Sequence, residues 1–330
     1  MGTDRYMVAS DATFWRVLPG IHRDELREVL HQSTALLRQE GHGKIALPQG
    51  RVLRAAAVDG SALGGRYASV LEILGTHAAV VDLEPCANRG KELPSSEVLL
   101  KRAFAKNRSG FVDIVLGDGL YLTQGMIDLC RTQLGTHLLV KTTEEETLVL
   151  LQRAKLFLEE GDAAAREVER VRGVDAERGI DYEAEALSGL RHSDSPHPLK
   201  VARVRIERLK GPYKGAKETF WIVTTDQSLT ALQMRELAHL RWSIENDAFR
   251  ALSAAVDSKH VWTRGKNAAA IFEVLMLLMF LAFTLSLAFH AQLDRDRLWE
   301  MFRLRRSTLA HLVDCFILSL QAAAGAFAPG

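Results

Sequence analysis

Asp59, Asp118 and Glu245 are three carboxylates whose surroundings in the sequence suit chemistry on phosphates. Asp59 closes the β-compatible run Val52-Leu53-Arg54-Ala55-Ala56-Ala57-Val58 and is followed by Gly60. Asp118 closes the run from Val112 to Gly117 in the same way, ahead of Gly119. The carboxyl end of a strand is where α/β folds dock ligands. Glu245 belongs to another pattern: Leu237, Leu240, Ile244, Ala248 and Ala251 recur at helical spacing and predict a helix from about Ser228 to Ala255. Arg241 and Glu245 then stand four residues apart on one helix face. An isolated Arg/Glu pair is ordinarily a solvated surface pair; this one gains weight from following two strand-end aspartates. Three hard-oxygen ligands on separate elements suit divalent cations such as Mg²⁺ or Mn²⁺. Two such ions about 4 Å apart stabilise a dianionic transition state and activate a weak nucleophile.

The elements that must position these groups follow from periodicity and punctuation. Residues 1–50 form a short helical lead-in, with Leu26, Val29, Leu30, Ala35 and Leu37 in helical register between Asp24 and Glu40. From Arg51 the expected order is strand 52–58, strand 68–74, strand 78–83, helix 95–105, strand 112–117, helix 123–134 and strand 137–141, with glycines at the turns. Residues 142–219 interrupt the alternation. They begin acidic and helical, continue through a polar stretch of no assigned structure, and turn basic at Lys200 to Arg208, which alternates as a strand. Arg203 and Arg205 on one strand face suit a phosphate backbone, with a solvated sheet face as the equal alternative. A further strand runs from Phe220 to Thr225, and its Trp221 either packs in the core or stacks on a base. Leu293 to Ala328 reads as helical.

With 330 residues, 47% hydrophobic and 25% charged, the composition is ordinary for a globular chain, and a net charge of +1 excludes a bulk polycation. Any nucleic-acid contact must come from local patches. Cys86, Cys130 and Cys315 are odd in number and without metal-ligand spacing, which suits reduced thiols in a cytoplasmic protein. Met1 to Ala9 is polar and lacks the apolar core of a secretion signal. Ala268 to Phe289 is apolar enough to span a bilayer, but Glu273 interrupts it, and a buried core helix is the expected state.

The sequence of features is aspartate, aspartate, a long gap, then Arg241-Trp242-Ser243-Ile244-Glu245 on a helix. This resembles the DDE-type insertion-sequence transposases of bacteria, in the group with a ribonuclease-H-like catalytic core and a β-rich insertion before the glutamate helix. In that group the glutamate lies in a signature of Tyr, two residues, Arg, three residues, Glu, six residues and Lys. Arg241 and Glu245 fit, whereas the tyrosine and lysine positions hold Ala238 and Leu252. His239, Arg250, Lys259 and His260 are nearby candidates to replace the missing phosphate contacts, or else surface residues.

The resemblance implies an α/β fold: a ribonuclease-H-like (retroviral-integrase-like) mixed sheet flanked by helices, with an inserted β-containing subdomain and a helical C-terminus. The corresponding division is 1–50, a short N-terminal segment; 51–141, the first part of the catalytic core; 142–219, the insertion; 220–290, the second part with the glutamate helix; and 291–330, the C-terminal helices. It implies a catalytic and metal-binding triad of Asp59, Asp118 and Glu245 with two Mg²⁺ or Mn²⁺ ions. DNA contacts are expected from Arg241, Trp242, Lys259, His260, Arg203 and Arg205, with Trp242 expected chiefly to pack in the core. The implied activity is cleavage at the terminal inverted repeats of an element and strand transfer into target DNA. A homodimer in the synaptic complex, a bacterial cytoplasmic location on the nucleoid and no membrane association go with it. A repurposed transposase that binds DNA without cutting it is the alternative.

Overall fold

Alternating apolar residues between glycine turns build the strands, and helical segments cover the two faces they present. The computed structural model describes residues 17–39, 41, 43–63, 65–75, 79–107, 110–143, 149–159, 168–192, 195–242, 244 and 267–292. Glu245, Lys259, His260, Leu252 and the expected helices beyond 292 lie outside the described residues. The helices are α1 (Arg23–Gln39), α2 (Glu92–Asn107), α3 (Gln124–Asp128), α4 (Val149–Glu159), α5 (Ala231–Leu240) and α6 (Ala268–Gln292). The strands are β1 (Lys44–Ala46), β2 (Val52–Leu63), β3 (Arg66–Ile73), β4 (Ala79–Pro85), β5 (Ile114–Asp118), β6 (His137–Thr142), β7 (Val168–Asp175), β8 (Ile180–Leu190), β9 (Leu199–Arg208) and β10 (Lys217–Thr224). The fold is therefore mixed α/β, with one large sheet flanked by helices.

The sheet runs in the order β4-β3-β2-β5-β6-β10-β9-β8-β7, and β1 pairs with the start of β2. β2, β5 and β6 are mutually parallel at its centre, while the remaining neighbours are antiparallel. β2 turns directly into β3 on one side and receives β5 on the other.

Side chains alternate between the two faces with period two. Leu53, Ala55 and Ala57 of β2, Ile114 and Leu116 of β5, and Leu139 of β6 share one core with Leu237 of α5 and Met276 and Phe280 of α6. Ala56, Val58, Val115, Leu138 and Val140 face the other way, against Leu99 of α2, Ile127 of α3 and Leu151 of α4.

Four expectations need correction. β2 does not stop at Val58: Asp59, Gly60, Ser61, Ala62 and Leu63 pair with β3, so the chain passes Asp59 as a continuous hairpin arm. The polar stretch left unassigned is two strands, β7 and β8, which extend the same sheet beyond β9. A boundary between 219 and 220 falls inside β10, whose residues pair with β6 on one edge and β9 on the other. The helix expected from Ser228 begins at Ala231, because Thr230 and Gln233 form a reciprocal capping box; it is described as far as Leu240, and residues 245–255 lie outside the described residues.

Glu273 explains why α6 packs on this protein. Its carboxylate meets Arg27 and, at 2.6 Å, Arg23, both on α1. Arg27 also reaches Asp82 of β4 at 3.3 Å, and Arg102 of α2 reaches Asp82 at 2.6 Å and Glu84 at 2.7 Å. This buried network ties four elements together. Among the described residues no helix is long and apolar enough to cross a membrane.

Candidate functional site on β2, β5 and β6

The parallel register ends on the pair Ala57 and Leu116, and Asp59 and Asp118 each follow two residues further along their strands. Adjacent strands lie about 4.8 Å apart. Both aspartates continue the odd-and-even series that faces α5 and α6, after Ala57 on β2 and Leu116 on β5. They are therefore neighbours on one face, and both are partly exposed.

Each carboxylate is oriented by a backbone donor. The Gly60 N–H donates to Asp59 Oδ1 at 2.8 Å. The Leu120 N–H donates to Asp118 Oδ1 at 2.9 Å, which makes Asp118 the cap of a short 3-10 turn, Gly119–Tyr121. The glycines beside Asp118 are required by close packing. A Cβ on Gly117 would come within 2.9 Å of Tyr121, and one on Gly119 within 2.7 Å of Thr142 Oγ1.

Arg241 arrives from the end of α5. It is 7% exposed, and its Nη1 lies 3.5 Å from Asp59 Oδ2. Its backbone N–H still donates to Leu237 O, so the last helical turn sets its position. Ile244, fully buried in the same core, follows at the next turn, one residue before Glu245. Ala238, at the expected tyrosine position, is buried at 1% exposure against the sheet and presents nothing to solvent.

Two further groups close the site. The register pairs Asp118 with Lys141 of β6. Lys141 follows Leu139 on the same face, and its Nζ sits 4.8 Å from the ring centroid of Trp242. Trp242 is 42% exposed and does not fill the core, contrary to expectation. Lys141 was invisible to motif reading, yet a lysine ending the apolar run Leu138-Leu139-Val140 at a strand's carboxyl end is the signal that marks it.

Beneath the aspartates, on the opposite face, the buried Tyr121 hydroxyl is 3.0 Å from Ser96 Oγ, which in turn donates to Ser69 Oγ. Burial pushes the Tyr121 phenol far above its ordinary value; the nearby Asp59 and Asp118 charges act in the same direction, so it stays neutral.

Arg203 and Arg205 lie far along the sheet and are already engaged. Arg203 is 5% exposed and donates to Glu185 at 2.8 Å and Glu159 at 2.8 Å. Arg205 donates to Glu183 at 3.2 Å and Glu185 at 3.4 Å. A basic strand face has become a ladder of cross-strand ion pairs, which removes the reason for assigning Arg203 to a phosphate. Trp221 is 1% exposed and packs in the core.

The donor set of Asp59 and Asp118, hard oxygens side by side at partial exposure, fits a divalent cation. Among the described residues no group of three metal-ligating side chains is assembled; Glu245 lies outside them. No protein-family model matches the chain and no curated protein matches it.

Proposed function

We propose that the chain is a DDE-type transposase, a metal-dependent enzyme that cleaves DNA at the ends of an element and joins them to target DNA. The observation that carries this reading is that Asp59 and Asp118 each lie two residues beyond the paired Ala57 and Leu116 of two adjacent parallel strands, near enough for both charges to act on the Tyr121 phenol. The run of three antiparallel strands followed by alternating helices and parallel strands supports a ribonuclease-H-like core. The sheet extension β7 to β9, inserted before α5, corresponds to the β-rich insertion of that transposase group.

Asp59 and Asp118, with Glu245, are the residues that would hold Mg²⁺ or Mn²⁺. When bound, these ions supply charge neutralisation at a phosphodiester and lower the pKa of water. The chain's own residues do the rest. The Gly60 and Leu120 N–H groups each hold one oxygen of an aspartate and so orient the carboxylates. Arg241, ion-paired with Asp59, offsets part of the charge that two neighbouring carboxylates would otherwise concentrate. A homodimer that brings two DNA ends together belongs to the same reading.

The test is Mg²⁺-dependent cleavage of the DNA flanking the chain's own gene. Asp118→Asn and Glu245→Gln are each expected to lose cleavage by about 1,000-fold or more, the scale of removing one group that acts in a concerted set. Undiminished cleavage by either variant would remove that residue from the site.

A further inference from the structure

The hairpin of β9 and β10 carries a charge distribution that the fold does not require. From Arg208 to Lys217 the chain holds four cations, Arg208, Lys210, Lys214 and Lys217, and no acid, in a molecule whose net charge is +1. Lys217 is balanced by Glu207 at 3.4 Å across the hairpin, and the other three surround the turn itself. β9 and β10 are interior strands, so these cations do not guard an open sheet edge. The turn is ordered by its own backbone. The Gly215 N–H donates to Arg208 O at 2.7 Å, the Arg208 N–H to Ala216 O at 3.0 Å and the Lys214 N–H to Gly211 O at 3.2 Å. Gly211 and Gly215 both take φ of 83°, a conformation that glycine adopts without steric cost. Lys210 braces the turn from beside, donating to Ala176 O at 3.0 Å and Glu177 O at 2.8 Å in the connection from β7 to β8. On this loop Tyr213 stands 69% exposed, next to the exposed Lys214.

The backbone register says where the loop stands. Asp118 of β5 pairs with residue 141 of β6, that residue with Ile222 of β10, and Ile222 with Ala202 of β9, so one row crosses the sheet from the candidate site to the hairpin. β5 ends on that row, whereas β10 starts from Lys217 and β9 runs on to Arg208 at the same end of the sheet. At about 3.3 Å per residue the hairpin projects roughly 17 Å past the level of Asp118, about 10 Å to the side of β5. That is the span of about five nucleotides of a strand.

We propose that the β9–β10 turn grips the DNA strand that runs on from the bond cleaved at Asp59 and Asp118, with Tyr213 stacking on an unpaired base and Lys214 and Arg208 meeting the adjoining phosphates. The proposal rests on reading the two aspartates as the phosphodiester-cleaving centre. An aromatic ring among cations offers one strand both a stacking face and charge neutralisation.

The experiment measures binding of a labelled single-stranded oligonucleotide to the full chain by fluorescence anisotropy across a salt series, in EDTA and again in Mg²⁺ with the Glu245→Gln background. Tyr213→Ala is expected to weaken binding about five- to 150-fold, the loss of one stacked base, without changing the slope of log affinity against log salt. Tyr213→Phe keeps the ring and should bind as wild type. Lys214→Met should lower the slope by about 0.7, the loss of one phosphate contact to a single strand, and Lys214→Arg should keep it. Should either loss variant fail to fold, Tyr213→Ser and Lys214→Gln read the same quantities.

Wild-type affinity in Tyr213→Ala or a wild-type slope in Lys214→Met would overturn the proposal, and so would a chain that binds no oligonucleotide in either condition. A self-association that Tyr213→Ala abolishes, with oligonucleotide binding unaltered, would overturn it in favour of a second copy of the chain. Binding that depends on Tyr213 and Lys214 in a protein that never cleaves DNA would leave the grip standing and sink the transposase reading. Cleavage that depends on Asp118, with wild-type binding in both variants, would do the reverse.

Discussion

At the residue scale, Asp118 depends on its two glycine neighbours as much as on its own carboxylate. The Gly117-Asp118-Gly119 triplet lets Tyr121 close over one side and Thr142 over the other. Gly119→Ala would drive a methyl to 2.7 Å from Thr142 Oγ1, next to Lys141, and push β6 away from the end of β5. We expect a stability loss of about 1–3 kcal/mol, the usual range for overpacking, together with weaker metal binding, measured by thermal melting and Mn²⁺ titration. Gly117 and Gly119 were legible in the sequence only as turn signals; their packing role depends on Tyr121 and Thr142, which no local pattern connects to them. The same limit hid Lys141. Its meaning comes from the register between β5 and β6 and from rings on β10 and beyond α5, contacts that cross up to about a hundred residues of chain. Asp59 and Asp118, by contrast, were visible because each follows an apolar run and precedes a glycine.

At the scale of elements, the apolar α6 is fixed by charge. Glu273 and Arg27, with Asp82 and Arg102, join α6, α1, β4 and α2 in a buried network. Removing one member leaves its partners buried and unpaired, which costs more than the intact network contributes. Arg27→Met is expected to cost about 3–5 kcal/mol, read as a shift in the urea unfolding midpoint. The network also sets acid sensitivity. Burial alone would raise the Asp82 carboxyl, but hydrogen bonds from His31 and Arg102 outweigh it and hold the group below its ordinary value of 3.8. A carboxylate with a depressed folded pKa contributes stability that is fully present above its unfolded value and is lost as the pH falls through the folded one. Stability should therefore decline below about pH 4, and Asp82→Asn should flatten that decline in denaturant titrations at several pH values. An unchanged pH profile would remove Asp82 from the account. The sequence announced α6 as a helix and marked Glu273 as anomalous within it. Its partners are spread from residue 23 to residue 102, so only the tertiary structure could supply them.

At the scale of the whole molecule, the sheet does not break where the sequence changes character. β10 bonds to β6 on one edge and β9 on the other, and among the described residues it is the strand that joins β7, β8 and β9 to the centre of the sheet. Ala184, Ala202 and Val204 share a core with Ala57 and Leu116. A fragment of residues 142–219 would expose that shared face and lose half of β10, and it should show no cooperative unfolding by circular dichroism. Independent, cooperative folding of the fragment would argue that the insertion is a separate body. The alternation of strands and helices from 51 to 141 was readable because each element is short, apolar and bounded by glycine. β7 and β8 escaped because their charged residues, Arg170, Arg172, Glu183 and Glu185, pair across strands, so polar sequence stands where a strand's apolar alternation is expected.

The whole molecule places two aspartates just beyond the last pair of two adjacent parallel strands, and the central claim is that they bind a divalent cation. Isothermal titration of the full chain with Mn²⁺ tests this without any knowledge of the DNA. Asp59→Asn and Asp118→Asn should each weaken the binding by more than about 10- to 100-fold, the loss already typical of disturbing groups around metal ligands. Mn²⁺ binding of wild-type strength in both variants would contradict the account.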